Sequence, residues 1–259
     1  MISSSQNSKI KLVRTLTGRP KERRDAGAFL AEGVRLVEDA SAANWPFRFI
    51  LYSDESSERG KDLIKKLAEK NVEAEKVESS LLQSLTETET SQGIIAVLEF
   101  TNLPIPNSPN FILITDSIRD PGNLGALLRS ADAAGVQAVL IPPETTDAFA
   151  PKVVRAGMGA HFRLPIHSMA WDEIRRRTKD LKIYLADMDG QSCWETDFKS
   201  PLALIVGGEA EGASEDARKL ANVFVKIPMA GKTESLNAAV AGSVLMFEVM
   251  RQRTVTSNQ

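Results

Sequence analysis

The sequence predicts an α/β protein in two parts, built on mostly parallel sheets. Three observations predict it. Strand-like apolar runs alternate with helical patterns along the chain, a proline-rich segment divides it, and three strand ends open into glycine loops or a helix start. Strand–helix alternation places neighbouring strands in parallel and covers the sheet with helices. With 259 residues, 42% of them hydrophobic, the chain can bury two modest cores.

Before the divider, runs at 47–53, 72–77 and 93–100 read as strands, and 26–42, 60–70 and 79–86 read as helices. Residues 101–110 hold three prolines and three asparagines between two apolar strands. Proline blocks both helix and ladder hydrogen bonding, so the domain boundary is placed there, giving domains 1–105 and 106–259. Beyond it, strands are expected near 111–117, 137–142, 182–187, 202–206 and 223–227. Helices are expected near 122–134, 147–157, 171–180, 214–221 and 235–252. There is no internal repeat.

The longest apolar runs, such as Leu202–Val206, are far too short to span a bilayer. The polar start of the chain lacks the apolar core of a signal peptide. A single cysteine, Cys193, excludes an internal disulfide and a cysteine-built metal site, and His161 and His167 do not form a metal-ligand pair. These features predict a soluble, cytoplasmic protein without a metal. Both lone residues, His161 and Cys193, read as structural.

The net charge of −2 argues weakly against a nucleic-acid partner, but it conceals an asymmetry. Residues 1–35 carry eight basic side chains (Lys9, Lys11, Arg14, Arg19, Lys21, Arg23, Arg24 and Arg35) against Glu22, Asp25 and Glu32. Residues 36–105 reverse the balance, with seven basic and thirteen acidic. A basic edge on an acidic body suits a phosphate backbone, with Lys11, Arg23, Arg24 and Arg35 as the candidate contacts. A solvated, loosely ordered segment would have the same composition.

In open α/β sheets, ligands collect beyond the carboxyl ends of strands. The first such end is Asp116-Ser117-Ile118-Arg119-Asp120-Pro121-Gly122-Asn123-Leu124-Gly125, followed by a helix carrying Arg129. Asn123 and Arg129 are six residues apart, about 240° around a helix, so they should not converge on one ligand within one chain. The second is Gly207-Gly208-Glu209-Ala210-Glu211-Gly212-Ala213-Ser214, where glycines let backbone approach a ligand and Ser214 can cap the next helix. The third runs from Ile227-Pro228-Met229-Ala230-Gly231 to Ser235-Leu236-Asn237. It is not a phosphate-binding P-loop, because Lys226 stands where that motif needs glycine. Ser235 or Asn237 opens a helix there, and free N–H groups at a helix start favour a carboxylate.

The three segments, in this order, resemble the three signature motifs of the SpoU/TrmH family of RNA ribose 2′-O-methyltransferases, in the SPOUT superfamily. Asp120–Gly125 through Arg129 is similar to the first motif, Gly207-Gly208-Glu209 with Gly212 to the second, and Ile227–Met229 with Ser235–Asn237 to the third, including the trailing Phe247-Glu248 and Arg251-Gln252-Arg253. The likeness covers residues 110–253. A looser one, on Phe29, Glu32-Gly33 and Arg35, links the first domain to the RNA-binding domain often attached to such enzymes. Gly157 and Ala238-Ala239 depart from the common pattern, which bears on substrate placement more than on the cofactor site.

The resemblance implies a second domain whose parallel sheet ends in a deep trefoil knot, an exception to the rule against knots. It implies a homodimer, bent S-adenosylmethionine as cofactor and an RNA substrate, expected to be ribosomal RNA. Cofactor contacts would be Gly207, Gly208, Ile227, Met229, Ser235, Leu236 and Asn237. Catalytic residues would be Arg129, Asn123, Glu209, Ser235 and Asn237. Because arginine stays protonated to a pH of about 12, holding a phosphate and stabilising developing oxyanion charge is a physically easier role than general base. The rival readings are a tRNA 2′-O-methyltransferase and a catalytically idle RNA-binding or ribosome-assembly protein of the same fold.

Overall fold

The computed structural model describes residues 1–86, 91–208 and 212–256. Its contacts divide the chain into two compact units. The first is Met1–Thr101 with Phe149–Phe162, and the second is Asn102–Ala148 with the chain from Arg163 onward.

The first unit begins with α1 (Ser8–Thr17) and α2 (Pro20–Ala26), then β1 (Ala28–Glu32), α3 (Val34–Ala42), β2 (Phe47–Tyr52), α4 (Glu58–Glu69), β3 (Ala74–Lys76), α5 (Ser79–Gln83) and β4 (Ile94–Glu99). Its sheet runs β1-β4-β2-β3. β4 pairs antiparallel with both β1 and β2, and only β2 and β3 are parallel. The expectation of a mostly parallel sheet therefore fails in this unit. Alternation along the chain does not say which strands pair, and here the last strand enters between the first two.

Two local readings are also corrected. Residues 28–32 are a strand, not the start of a helix over 26–42. The strand is buried on both faces, and a short apolar run of that kind has no periodicity to separate strand from helix. Gly27 and Gly33 bound it, both at positive φ, where a side chain is disfavoured. The basic N-terminal segment is not loosely ordered, because Ile10, Val13 and Leu16 of α1 are fully buried in the core with Leu30, Phe49 and Val97.

The returning segment, with α7 (Pro151–Gly157) and a 3₁₀ turn at Ala160–Phe162, completes this unit. Phe149 lies 5.0 Å from Phe29 and 4.7 Å from Phe100, and Phe162 lies 5.3 Å from Trp45. Arg155 donates to Glu32 at 2.9 Å. A linear boundary at 105 does not anticipate this segment.

The second unit holds β5 (Phe111–Thr115), α6 (Pro121–Ala133), β6 (Ala138–Ile141), β7 (Ile166–Ser168), α8 (Trp171–Arg177), β8 (Lys182–Ser192), β9 (Leu202–Val206), α9 (Glu215–Leu220), β10 (Val223–Lys226) and α10 (Ala238–Thr256). Six strands in the order β10-β8-β9-β5-β6-β7 are all parallel, the arrangement expected, though only five were anticipated: β7 is a three-residue strand outside the expected set, and β8 runs on to Ser192. β5 and β9 are buried along their whole length, the pattern of a sheet covered on both faces. Because every strand points the same way, the ends of β5, β9 and β10 open along one edge.

Candidate functional site

The three strand ends singled out in the sequence are built by different local devices. β5 runs on by one ladder bond, from Asp116 N–H to the Val206 carbonyl of β9. Ser117 then turns through φ 57°. α6 starts at Pro121, where the fixed φ of proline suits a first helical position. Asp120 caps it, accepting the Asn123 N–H at 2.8 Å. The following loop, after β6, pins this turn. Thr145 Oγ1 donates to the Thr115 carbonyl at 2.6 Å and accepts the Ile118 N–H at 3.3 Å.

At the end of β9, Gly207 and Gly208 are required by the protein's own backbone. A Cβ on Gly208 would lie 2.3 Å from the Ser117 carbonyl oxygen, and one on Gly207 would lie 2.8 Å from the Ala213 nitrogen. Gly208 and Gly212 form an antiparallel bridge that closes the loop. Ser214 caps α9 as expected, its hydroxyl accepting the Ala217 N–H at 3.2 Å. Glu209 lies outside the described residues.

After β10, residues 227–236 form neither helix nor strand, and Pro228 through Ser235 are exposed. Among the described residues, the N–H groups of Met229–Leu236 have no hydrogen-bond partner in the protein. Ile227 and Leu236 are half-buried beside them. Free backbone donors next to apolar side chains fit a ligand with a polar edge and an apolar body, such as S-adenosylmethionine. The helix begins at Ala238, later than expected, because Asn237 is its cap and Ser235 is not. Asn237 Oδ1 accepts the N–H groups of Ala239 at 2.9 Å and Val240 at 3.2 Å.

The amide of Asn237 also reaches the first segment. Its Nδ2 donates to Asn123 Oδ1 at 2.9 Å. The structure thus brings together two of the sequence candidates whose positions differ by over a hundred residues. Behind them α10 packs on α6, with Ser243 Oγ donating to the Ala239 carbonyl at 2.6 Å and accepting from the Ser130 hydroxyl at 2.7 Å. Arg129 is exposed on α6, and among the described residues its guanidinium forms no ion pair or hydrogen bond.

The trailing residues of the third motif do something else. Arg253 donates to the carbonyls of Phe198, Ser200 and Asn110, at 3.1, 2.8 and 3.0 Å, tying the end of α10 to the base of the sheet. Arg251 makes two 2.7 Å hydrogen bonds to buried Glu248. Those bonds hold the Glu248 carboxyl below its usual range, aided by Gln252 and opposed by burial. Burial, with Glu248 adding, pushes the Cys193 thiol up to about 11, so it is a protonated core group at neutral pH.

Of the basic candidates in the first unit, Lys11, Arg24 and Arg35 are exposed. Arg23 is not. It is 2% exposed and donates to the carbonyls of Leu16 at 2.9 Å and Gly18 at 2.8 Å, so it holds the α1–α2 turn rather than offering itself to a phosphate. Among the described residues no cluster of His, Cys, Asp and Glu could hold a metal, and no helix is long and apolar enough to cross a membrane.

Comparison with known proteins places these features. The SpoU rRNA Methylase family matches residues 110–247, and an MRM3-like substrate binding domain matches residues 7–96. The 23S rRNA (guanosine(2553)-2′-O)-methyltransferase RlmP of Bacillus subtilis is 33% identical, over 96% of this chain and 98% of that protein. The 23S rRNA (uridine(2479)-2′-O)-methyltransferase of Streptomyces viridochromogenes is 31% identical, over 96% and 92%. The AdoMet-bound rRNA methyltransferase of Sinorhizobium meliloti superposes with a TM-score of 0.85 at 29% identity, covering 96% of this chain and 97% of the other.

Proposed function

This chain belongs to the SpoU rRNA methylase family, and on that premise we propose that it methylates a ribose 2′-hydroxyl of ribosomal RNA, with S-adenosylmethionine as donor. The observation that carries the reading is the Asn237–Asn123 hydrogen bond, which joins the first and third motifs at one edge of the parallel sheet, inside the matched residues.

S-adenosylmethionine supplies an electrophilic methyl group on a sulfonium. Transfer of that methyl to the ribose oxygen would release S-adenosylhomocysteine as the leaving group, and the hydroxyl proton would pass to solvent water. The unused N–H groups of Met229–Leu236 and the backbone at Gly207 and Gly208 hold the cofactor's polar edges, while Ile227, Met229 and Leu236 line its apolar side. Ser235 and Asn237 complete the site, and Asn123 is oriented by Asn237. Arg129 lies about 240° around α6 from Asn123, so in the proposed homodimer it would serve the partner's site, holding the phosphate beside the target ribose and stabilising charge developing on the attacking oxygen. Glu209 belongs to this set by its motif alone.

The first unit delivers the RNA through Lys11, Arg24 and Arg35. The reading includes a homodimer, the knotted chain path of the family, a cytoplasmic location and no metal. It is tested by incubating the protein with methyl-labelled cofactor and unmodified ribosomal or transfer RNA transcripts, then digesting to nucleosides. Label in a 2′-O-methyl nucleoside from ribosomal RNA is expected. Label from transfer RNA alone would replace the substrate, and cofactor binding without transfer to RNA or assembled particles would leave a binding protein.

A further inference from the structure

Asp116 is 1% exposed, and among the described residues no cation pairs with it. A buried carboxylate normally needs a cation or several hydrogen-bond donors. Asp116 has only neutral donors, and they bind two chain segments together. Its Oδ2 accepts the Ser214 N–H at 2.6 Å, while Oδ1 accepts the Ser117 hydroxyl at 3.2 Å. Its own N–H is fixed to the Val206 carbonyl. Asp116 therefore touches both ends of the segment that leaves β9 at Val206 and returns at the cap of α9.

Ser117 adds to this grip. Its left-handed backbone, φ 57°, brings its carbonyl to within 2.3 Å of where a Cβ on Gly208 would lie. The Asp116–Ser117 pair thus sets the position of Gly208 by close approach and of Ser214 by hydrogen bond. The same short stretch leads through Asp120 into α6, which carries Asn123 and Arg129.

The structure assigns Asp116 as a positioning residue that registers the two described ends of the loop after β9, Gly207-Gly208 and Gly212–Ser214, against the start of α6. This rests on the proposed function for its catalytic meaning, since that loop carries the cofactor contacts Gly207 and Gly208. Asp116 touches neither cofactor nor ribose in this assignment. It sets the position of the loop that holds the cofactor relative to the start of α6, where Asn123 lies. Neutral donors on both oxygens mean that geometry is what the site uses. An asparagine can still accept the Ser214 N–H through Oδ1 and meet the Ser117 hydroxyl through Nδ2.

The test compares full-length wild type, Asp116→Asn and Asp116→Ala by two readouts. The first is exchange of the Ser214 amide in the free protein. The second is the KM for S-adenosylmethionine against kcat, normalised to folded protein well below the melting temperature. In the alanine variant, Ser214 exchange and cofactor KM are expected to rise by about tenfold to a hundredfold, the size of leaving one buried N–H donor without its acceptor, with kcat changed far less. The asparagine variant should stay within about threefold of wild type on both counts. Asp116→Ser, whose hydroxyl is too short to reach Ser214, serves if the alanine variant does not fold.

A wild-type Ser214 exchange rate and cofactor KM in the alanine variant, with only a lower melting temperature, would overturn the assignment. So would an asparagine variant as impaired as alanine, since that would make the charge essential rather than the geometry. If wild type itself transfers no methyl group, the functional reading fails, and the exchange comparison still decides the positioning role.

Discussion

Asn237 and Asn123 meet side chain to side chain at 2.9 Å, one capping α10 and the other in the first turn of α6. The Asn237 amide is divided between two tasks. Its oxygen caps its own helix, and its nitrogen orients the neighbouring asparagine.

The two tasks can be separated. Asn237→Asp retains an oxygen for the cap but loses the donor to Asn123, and aspartate caps as well as asparagine. Its thermal stability should match wild type while methyl transfer falls by about tenfold or more, the scale of one lost hydrogen bond to a catalytic group. Asn237→Ala should lose activity and also about 1 kcal/mol of stability. Melting curves beside transfer rates check both. Equal activity in the aspartate variant would remove the asparagine pair from the site.

Gly208→Ala places a methyl group 2.3 Å from the Ser117 carbonyl, backbone that cannot rotate away. The turn into α6 must shift, which costs about 1–3 kcal/mol of stability. Cofactor affinity, measured by calorimetry, should fall at least as far as in the Asp116 alanine variant. Gly212 has open space at its Cβ but sits at φ 69°, so Gly212→Ala should lower stability through backbone strain alone.

The corrected basic edge predicts a split between neighbours. Arg23→Ala leaves two carbonyls without their donor and should destabilise the first unit by about 2 kcal/mol or more. Arg24→Ala should leave stability unchanged, weaken RNA binding and reduce the salt slope of binding by about one. Chemical denaturation and filter binding at several salt concentrations distinguish them.

Glu248 predicts a pH dependence. Its carboxyl is held below the unfolded value of about 4.5, chiefly by Arg251, so the interaction stabilises the fold above that pH. The stability is lost as pH falls through the depressed folded value. The melting temperature of wild type should therefore drop more steeply than that of Glu248→Gln below about pH 4.5, and parallel curves would contradict it.

Much of the second unit was legible because β6, β9 and β10 are apolar runs followed within two residues by proline or glycine, whereas the short β7 and the polar second half of β8 carry no such signal. Glycine and proline marked the loops after β9 and β10 directly, and Pro121-Gly122 marked the first one at the start of its helix. The Asn237 cap was partly legible, since Ser235 and Asn237 both suit a helix start and only hydrogen bonds choose between them. Pairing was not legible. Nothing near Asp116 signals that it meets Ser214, and nothing around Ala28–Glu32 separates a buried strand from a buried helix. Arg23 shows the limit of counting charge, because composition cannot tell an arginine facing solvent from one bound to its own backbone. The returning segment 149–162 was hidden for the same reason, as its aromatic partners Phe29 and Phe100 lie far away in sequence.

Ribose 2′-O-methylation is proposed for a site in which Arg129 takes part. It is tested most directly by transferring labelled methyl from S-adenosylmethionine to ribosomal RNA with wild type and Arg129→Ala, then locating the label by nucleoside analysis. Wild type is expected to place label on the ribose 2′-oxygen, and the variant almost none although it still binds cofactor. Label on a base, or undiminished transfer by Arg129→Ala, would contradict it.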